Sequence, residues 1–414
     1  MENSTLEKLA AKRLNRRRFA AGATVAGAAL ATGAVATRAQ EATPVSTAVA
    51  ASPVAGITPV TVASGLNSPR FIAIDGDTVY FTEAGTGGSE TFFATPGAGT
   101  PAPTDPAGMR GPSGKLSAIG ADGTVTAVVS DFTSYTFGAD GEIIGASGVA
   151  LDGNGNAFVA VGAPGPNLPV ITRSGTEGVV YKVSLADGSK SIIADLAQYE
   201  IDANPDPYAI DSDLYGAAFL DGVVYVADAG GNDVLAVKVD TGDISTFAVT
   251  GGLDAPFLPP SGNPLRGGTG TIDSVPSAIV VGPDGKIYVG FVEGGPFPAG
   301  LAPIYDYSPD GTKSVFATGL TMIGGLAFSS DGTLYASVMS TDYVNQKPGQ
   351  VVRVGTDGTL TVVIDNLLVP AGIAFDGADN LFLVHKSTGF PGAGEILKYT
   401  GIVAATGTPF VEPA

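Results

Sequence analysis

From residue 58 onward the chain repeats itself, and self-similarity at a regular period limits the possible folds more than any other feature of this sequence. Each copy opens on a small-residue, apolar strand, passes through a Gly/Asp turn and enters a second strand that carries Tyr or Phe. The copies begin at Arg70, Gly148, Gly216, Ala278, Gly325 and Gly372. Ala73, Ala150, Ala218, Val280, Ala327 and Ala374 hold one equivalent position, at spacings of 77, 68, 62, 47 and 47 residues. The two spacings of 47 give the bare unit; the longer ones mark insertions. A second hairpin follows in each unit, as at 114–129 and 349–364, with Asp-Gly at its centre. That pair accepts the backbone of a tight turn at little cost. Two hairpins make four strands, and four strands in a unit of this length make a propeller blade. The expectation is an all-β, six-bladed β-propeller.

The sixth unit stops short. After the strand that begins at Gly394 no outer strand like the others follows, but Thr58–Leu66 matches Lys313–Leu320 and Leu360–Leu367. The N-terminal strand is therefore predicted to complete the last blade and close the ring. An open repeat array would instead leave apolar ends at both termini.

Composition agrees with short strands joined by turns. Of 414 residues 59 are Gly and 29 are Pro, while 15% are charged. Cys is absent, so disulfides and thiolate chemistry are excluded, and His385 is the single histidine. A zinc site of Cys or multiple His is excluded with them. The formal net charge is −19; residues 1–40 hold seven Lys/Arg and two Asp/Glu, which leaves 14 basic against 38 acidic side chains beyond them. Such a surface repels nucleic acid and anionic lipid.

Residues 14–40 read as an export signal: Arg16-Arg17-Arg18-Phe19, an Ala/Gly-rich apolar run to Ala36, and small-residue cleavage sites after Ala36 or Ala39. Arg16 and Arg17 with Phe19 resemble the twin-arginine motif. The domain plan is a signal peptide over 1–39, a low-complexity linker over 40–56, the propeller over 57–402 and a tail over 403–414. After cleavage the chain is expected outside the cytoplasmic membrane, extracellular or in the cell envelope, as a monomer with no membrane attachment.

In such a ring the loop before each inner strand and the loop after each second strand share one face. Every long segment falls there: 84–113, 132–147, 162–178, 197–215, 250–276 and 291–301. The opposite turns are short, as at Asp75, Asp152 and Asp357. One-sided decoration marks a working face. The residues that end the second strands are Glu83, Val161, Asp228, Phe291, Val338 and His385. Glu83, Asp228 and His385 are thus expected around one channel mouth, with Arg70 and Asp213 nearby. They are candidates either for binding a ligand or for hydrogen-bonding the loop backbones. A second group, Glu200, Asp202, Asn204, Asp206, Asp211 and Asp213, precedes the third inner strand. Closely spaced carboxylates suit calcium, which wants six to eight oxygens. Asp202, Asp206, Asp211 and Asp213 are the calcium candidates. The spacing is not that of an EF-hand, and loop solvation accounts for much of the same pattern. No Gly-x-Ser-x-Gly elbow and no phosphate loop are present.

Several segments resemble the ScyD/ScyE family, exported propellers related to NHL-repeat proteins. These are Gly65–Arg70, Asn204–Asp206, Asp211–Gly216, Val224–Asp233, Val275–Gly285, Tyr288–Gly290 and Pro296–Gly300. The resemblance spans about residues 58–400 and implies a propeller and export. It implies no defined activity. This chain has Asp213 where the family usually has Asn, and Phe291 where it has Glu, which leaves an acidic ring incomplete.

Two functions follow. One is a binding or scaffold module that presents its loop-rich face to a small molecule or protein. The other is a lactonase- or lyase-like enzyme with a divalent cation at the channel mouth.

Overall fold

The computed structural model describes residues 52–53, 57–92, 108–137, 142–164, 173–208, 210–389 and 392–412. The expected signal peptide and most of the expected linker lie outside the described residues. Six antiparallel sheets follow one another around a ring. The inner strands are Pro69–Asp75, Ala146–Leu151, Leu214–Leu220, Thr271–Val281, Ile323–Phe328 and Ile373–Phe375, and they define blades 1 to 6. The repeat position read from the sequence is a register position. Ala73 pairs with Tyr80, Ala150 with Phe158, Ala218 with Tyr225, Val280 with Tyr288, Ala327 with Tyr335 and Ala374 with Phe382.

Closure is as the pattern implied. Val60–Leu66 pairs antiparallel with Gly394–Tyr399 and supplies the outer strand of blade 6. Second strands such as Ile287–Glu293, Leu334–Val338 and Leu381–His385 are buried at every position, so these blades are covered on both faces, and buried clusters lie in the seams. Phe158 and Val180 of blade 2, with Leu196 just after its last strand, pack with Val226 and Leu235 of blade 3. Ala63, Phe382 and Ile396 of blade 6 pack with Ile72, Val79 and Phe81 of blade 1. Full burial of one such Phe stabilises by roughly 1.5–3 kcal/mol. The seam that closes the ring is apolar like the others.

Glycine at the start of four inner strands has a steric reason. A Cβ on Gly148 would sit 2.7 Å from the backbone nitrogen of Ala217 in the next blade, and one on Gly372 would sit 2.5 Å from Phe71 Cα. Inner strands crowd near the axis, and only a residue without a side chain allows this approach. Buried hydroxyls add a second tie. Ser277 Oγ donates to Ile323 O at 2.6 Å and Ser337 Oγ to Ala371 O at 2.6 Å, each from one blade to the next. Thr82 Oγ1 does the same to Ser147 O.

Three departures from the sequence reading concern the long segments. Parts of 84–113 and 132–147 are strand, not loop. Gly108–Ile119 and Val125–Phe137 run on as one long hairpin of blade 1, flanked by Glu90–Phe92 and Glu142–Ile144. The segment 197–215 begins with a helix, Leu196–Ala203, whose N-cap Asp195 accepts from Gln198 N at 2.9 Å. The segment 250–276 carries a short strand, Gly252–Asp254, and a 3-10 turn, Pro264–Arg266. At the rim, Ser52–Pro53 and Thr408–Pro409 both pair with the outer strand of blade 5. No helix among the described residues is long and apolar enough to cross a membrane.

Candidate functional site

Glu83, Asp228 and His385 end second strands in blades 1, 3 and 6, and all three are buried. Each has the same partner type. Glu83 Oε2 accepts from Asn67 N at 2.7 Å, Asp228 Oδ1 from Asp213 N at 2.8 Å, and His385 Nε2 from Leu368 N at 3.0 Å. In each case the donor is the backbone of the segment that enters the blade's own inner strand. The side chain therefore fixes that entry by satisfying an N–H that would otherwise be buried without a partner. Asp228 does more of this than the others. Its Oδ1 also accepts from Gly230 N and Gly231 N, both at 3.0 Å, and its Oδ2 from Ser212 Oγ at 2.7 Å.

His385 is held on both nitrogens. Because Nε2 accepts, the proton sits on Nδ1 and points to Glu395 Oε2 at 2.9 Å. Burial holds its pKa below the ordinary imidazole value, and the Glu395 carboxylate opposes that shift. The ring has neither nitrogen open to a ligand in this state.

Arg70 stands on the inner strand of blade 1 and is buried. Its Nη2 donates to Ile143 O at 2.8 Å and its Nη1 to Ser387 O at 3.5 Å, and its guanidinium lies 6.0 Å from the Tyr215 ring. It thus joins its own blade's edge strand Glu142–Ile144 to residues of blades 3 and 6. Asp213 is buried beside Gly162, where a Cβ would meet its Oδ1 at 2.3 Å.

The acidic segment separates into parts. Asp202 is exposed on the helix and accepts from Gln198 Nε2 at 3.1 Å. Asp206 is buried; its Oδ2 accepts from Asn232 Nδ2 at 2.7 Å and from Arg266 Nη1 at 3.3 Å. Arg266 also bonds Asp273, and the Tyr208 ring lies 4.4 Å from its guanidinium carbon. Asp211 and Asp213 are buried at the entry to blade 3.

Among the described residues a different set of carboxylates comes together: Glu200, Asp228 and Asp233, each offering an oxygen within 4.8 Å of the others. Glu200 lies on the helix that follows blade 2. Asp228 and Asp233 face each other across the second and third strands of blade 3. Strand alternation puts Asp228 on the side of Val226, and Asp233 on the side of Leu235, and both of those apolar residues pack into the seam with blade 2. All three carboxylates are fully buried, and no donor from outside the group reaches either oxygen of Glu200 or Asp233. Burial raises the Glu200 pKa to about 8, with Asp228 adding to the effect, and burial raises that of Asp228 to about 6. Asp233 is pushed well above the usual carboxylate range by burial and by Glu200. The donor set is oxygen alone, which fits a hard cation and not zinc or copper.

No protein-family model matches the chain, and no curated protein matches it. Its likeness is to solved propellers. A protein of unknown function from Bacteroides thetaiotaomicron is 13% identical, over 84% of this chain and 75% of that one, with a TM-score of 0.49. A gluconolactonase from Xanthomonas campestris is 12% identical, over 86% and 93%, with a TM-score of 0.48. Virginiamycin B lyase from Staphylococcus aureus is 13% identical, over 83% and 98%, with a TM-score of 0.46. The likeness is one of fold.

Asp233, Arg266 and Asp273 carry no sign of their roles in the sequence reading. Asp233 opens a strand, where a lone Asp reads as a turn residue. Its link to Glu200 depends on how two blades meet. Glu293 was missed too: it is fully buried with no donor to either oxygen, and burial raises its pKa well above the usual range.

Proposed function

We propose that the protein is an exported binding or scaffold module that presents the loop-rich face of its propeller to a small molecule or protein. The observation that carries this reading is the commitment of Glu83, Asp228 and His385 to backbone amides of that face. Groups used in this way hold loops in place and are not free to move protons. The one histidine of the chain is the natural general base in the absence of Cys, and both its nitrogens are engaged. A lactonase- or lyase-like reaction with a divalent cation at the channel mouth needs carboxylates open to substrate. Glu200, Asp228 and Asp233 are instead closed off from solvent.

The export signal and the ScyD/ScyE-like segments support a location outside the cytoplasmic membrane. Replacing Arg16 and Arg17 by Lys should block export without altering the purified domain. Normal export of that variant would point to the general secretory route.

The binding reading is tested by thermal shift of the mature chain against a metabolite library, beside turnover assays on a panel of lactones. Ligands of the native state raise the melting temperature. Turnover that disappears in His385→Gln, with the melting temperature kept, would overturn this reading in favour of the enzyme.

A further inference from the structure

We propose that Glu200, Asp228 and Asp233 hold one calcium ion in the seam between blades 2 and 3, where it clamps the helix Leu196–Ala203 to blade 3. This goes beyond the binding reading and does not depend on it. The three carboxylates offer oxygens within 4.8 Å of one another, the separation expected of ligands that share an ion. More telling are the four oxygens of Glu200 and Asp233. All are buried, and none has a donor from outside the cluster. Buried polar atoms in native proteins are almost always satisfied, so four orphans aimed into one cluster call for a partner. Asn232 Oδ1, on the residue beside Asp233, is also buried without a donor.

The one side-chain hydrogen bond open to these oxygens is between Glu200 and Asp233 themselves, and it needs a proton on one of the two. Among the described residues no Lys, Arg or His pairs with Glu200, Asp228 or Asp233. Arg266, a buried cation of this region, is taken by Asp206 and Asp273. Asp206 and Asp211 add negative charge around the cluster. Like charges set directly across a strand pair, as Asp228 and Asp233 are, oppose folding unless something neutralises them.

The chemistry of the site selects the ion. Magnesium demands near-ideal octahedral geometry and keeps several waters, whereas calcium accepts irregular cages of protein oxygen. Here the carboxylates are closed to solvent, and Gly231 forms part of the wall. A Cβ on Gly231 would lie 3.1 Å from Glu200 Cδ and 3.3 Å from Asp228 Cγ. Asp228 also shapes the site, because its bonds to Asp213 N, Gly230 N, Gly231 N and Ser212 Oγ fold the two loops of blade 3 around the cluster.

The competing account of these carboxylates is a proton shared between Glu200 and Asp233 with no metal. Chelator-treated mature chain should be titrated with calcium chloride and, separately, magnesium chloride, by calorimetry and thermal melting. One calcium per chain and a rise in melting temperature of about 5 °C or more at saturation are expected. Glu200→Gln and Asp233→Asn should each lower calcium affinity by about a hundredfold or more while folding at least as well as the parent in chelator. Absence of any calcium heat or melting shift at millimolar calcium would overturn the proposal. So would an equal response to magnesium, or wild-type affinity in both variants. Should a variant fail to fold, elemental analysis of the untreated parent chain still decides the matter: about one calcium per chain supports the site, and none refutes it.

Discussion

Ala63 lies opposite Ile396 in a single sheet, so the first strand of the propeller and one of its last are hydrogen-bonded neighbours. Ala63 and Ile396 are both buried in the seam with blade 1, together with Phe81 and Phe382. The ring is held shut by strand pairing and by an apolar seam at once.

Removing residues 57–66 should open that blade. The deletion strips the outer strand from Gly394–Tyr399 and leaves an unpaired edge, which is a template for association between chains. The expected result is a lower melting temperature and oligomers or aggregates on size exclusion with light scattering. A monomer that melts like the parent would contradict the role given to this strand.

Gly372→Ala should be among the most harmful single-methyl changes. The added Cβ would meet Phe71 Cα at 2.5 Å and Arg70 O at 2.7 Å, and both are backbone atoms with nowhere to move. Overpacking of this kind costs about 1–3 kcal/mol. Gly377, where a Cβ meets nothing within 4 Å, is the control. Gly377→Ala should stay within about 0.5 kcal/mol of the parent. Equal midpoints for the two variants in chemical denaturation would show that the crowding is not real.

The ring, the blade count and its closure were legible because each rests on a local pattern repeated several times. The pairing of Ala73 with Tyr80 recurs in every blade, so six weak signals add up to one strong one. The position of Glu83, Asp228 and His385 at strand ends was legible for the same reason. Their hydrogen bonds to loop backbones were legible only as one of two alternatives beside ligand binding, because the partners Asn67, Asp213 and Leu368 lie outside the repeated strands. The carboxylate cluster was read only in part. Glu200 and Asp206 lie in one stretch of sequence with Asp202, yet helical geometry turns Asp202 to solvent while Glu200 faces blade 3. Asp233 joins Glu200 only through the docking of two blades, which leaves no local trace.

Asp228 offers a test of the loop-anchoring role. Asp228→Ala would leave the N–H groups of Asp213, Gly230 and Gly231 without their acceptor, and each buried orphan costs on the order of 1–3 kcal/mol. Asp228→Asn keeps an acceptor oxygen in the same place and should cost on the order of 1 kcal/mol in chelator. The expected order of melting temperatures is parent, then Asn, then Ala well below both. An Ala variant as stable as the parent would remove Asp228 from any structural role.

The pH dependence of stability separates the two titrating regions. In chelator, Glu200 has a pKa of about 8 when folded, and its ordinary carboxyl value when unfolded. Between those values the folded chain binds the extra proton, so this carboxyl favours folding at low pH and the advantage fades as pH rises through about 8. Asp228, raised to about 6, acts in the same sense over a lower range. His385 acts oppositely. Its folded pKa lies below the ordinary imidazole value, so the unfolded chain takes the proton first and stability falls as pH drops below about 6.5. Three carboxyls are raised and only His385 is lowered, so the chain in chelator should lose stability as pH rises from about 5 to about 8, with His385 opposing the part of that fall below about 6.5. Glu200→Gln should make that fall shallower across the whole range up to about pH 8. His385→Gln, whose amide oxygen can still accept from Leu368 N, should make the fall steeper below about pH 6.5. Melting temperatures measured in chelator from pH 5 to 8.5 check all three profiles. A parent profile that is level from pH 6.5 to 8.5 would mean that the Glu200 carboxyl is already ionised in the folded chain.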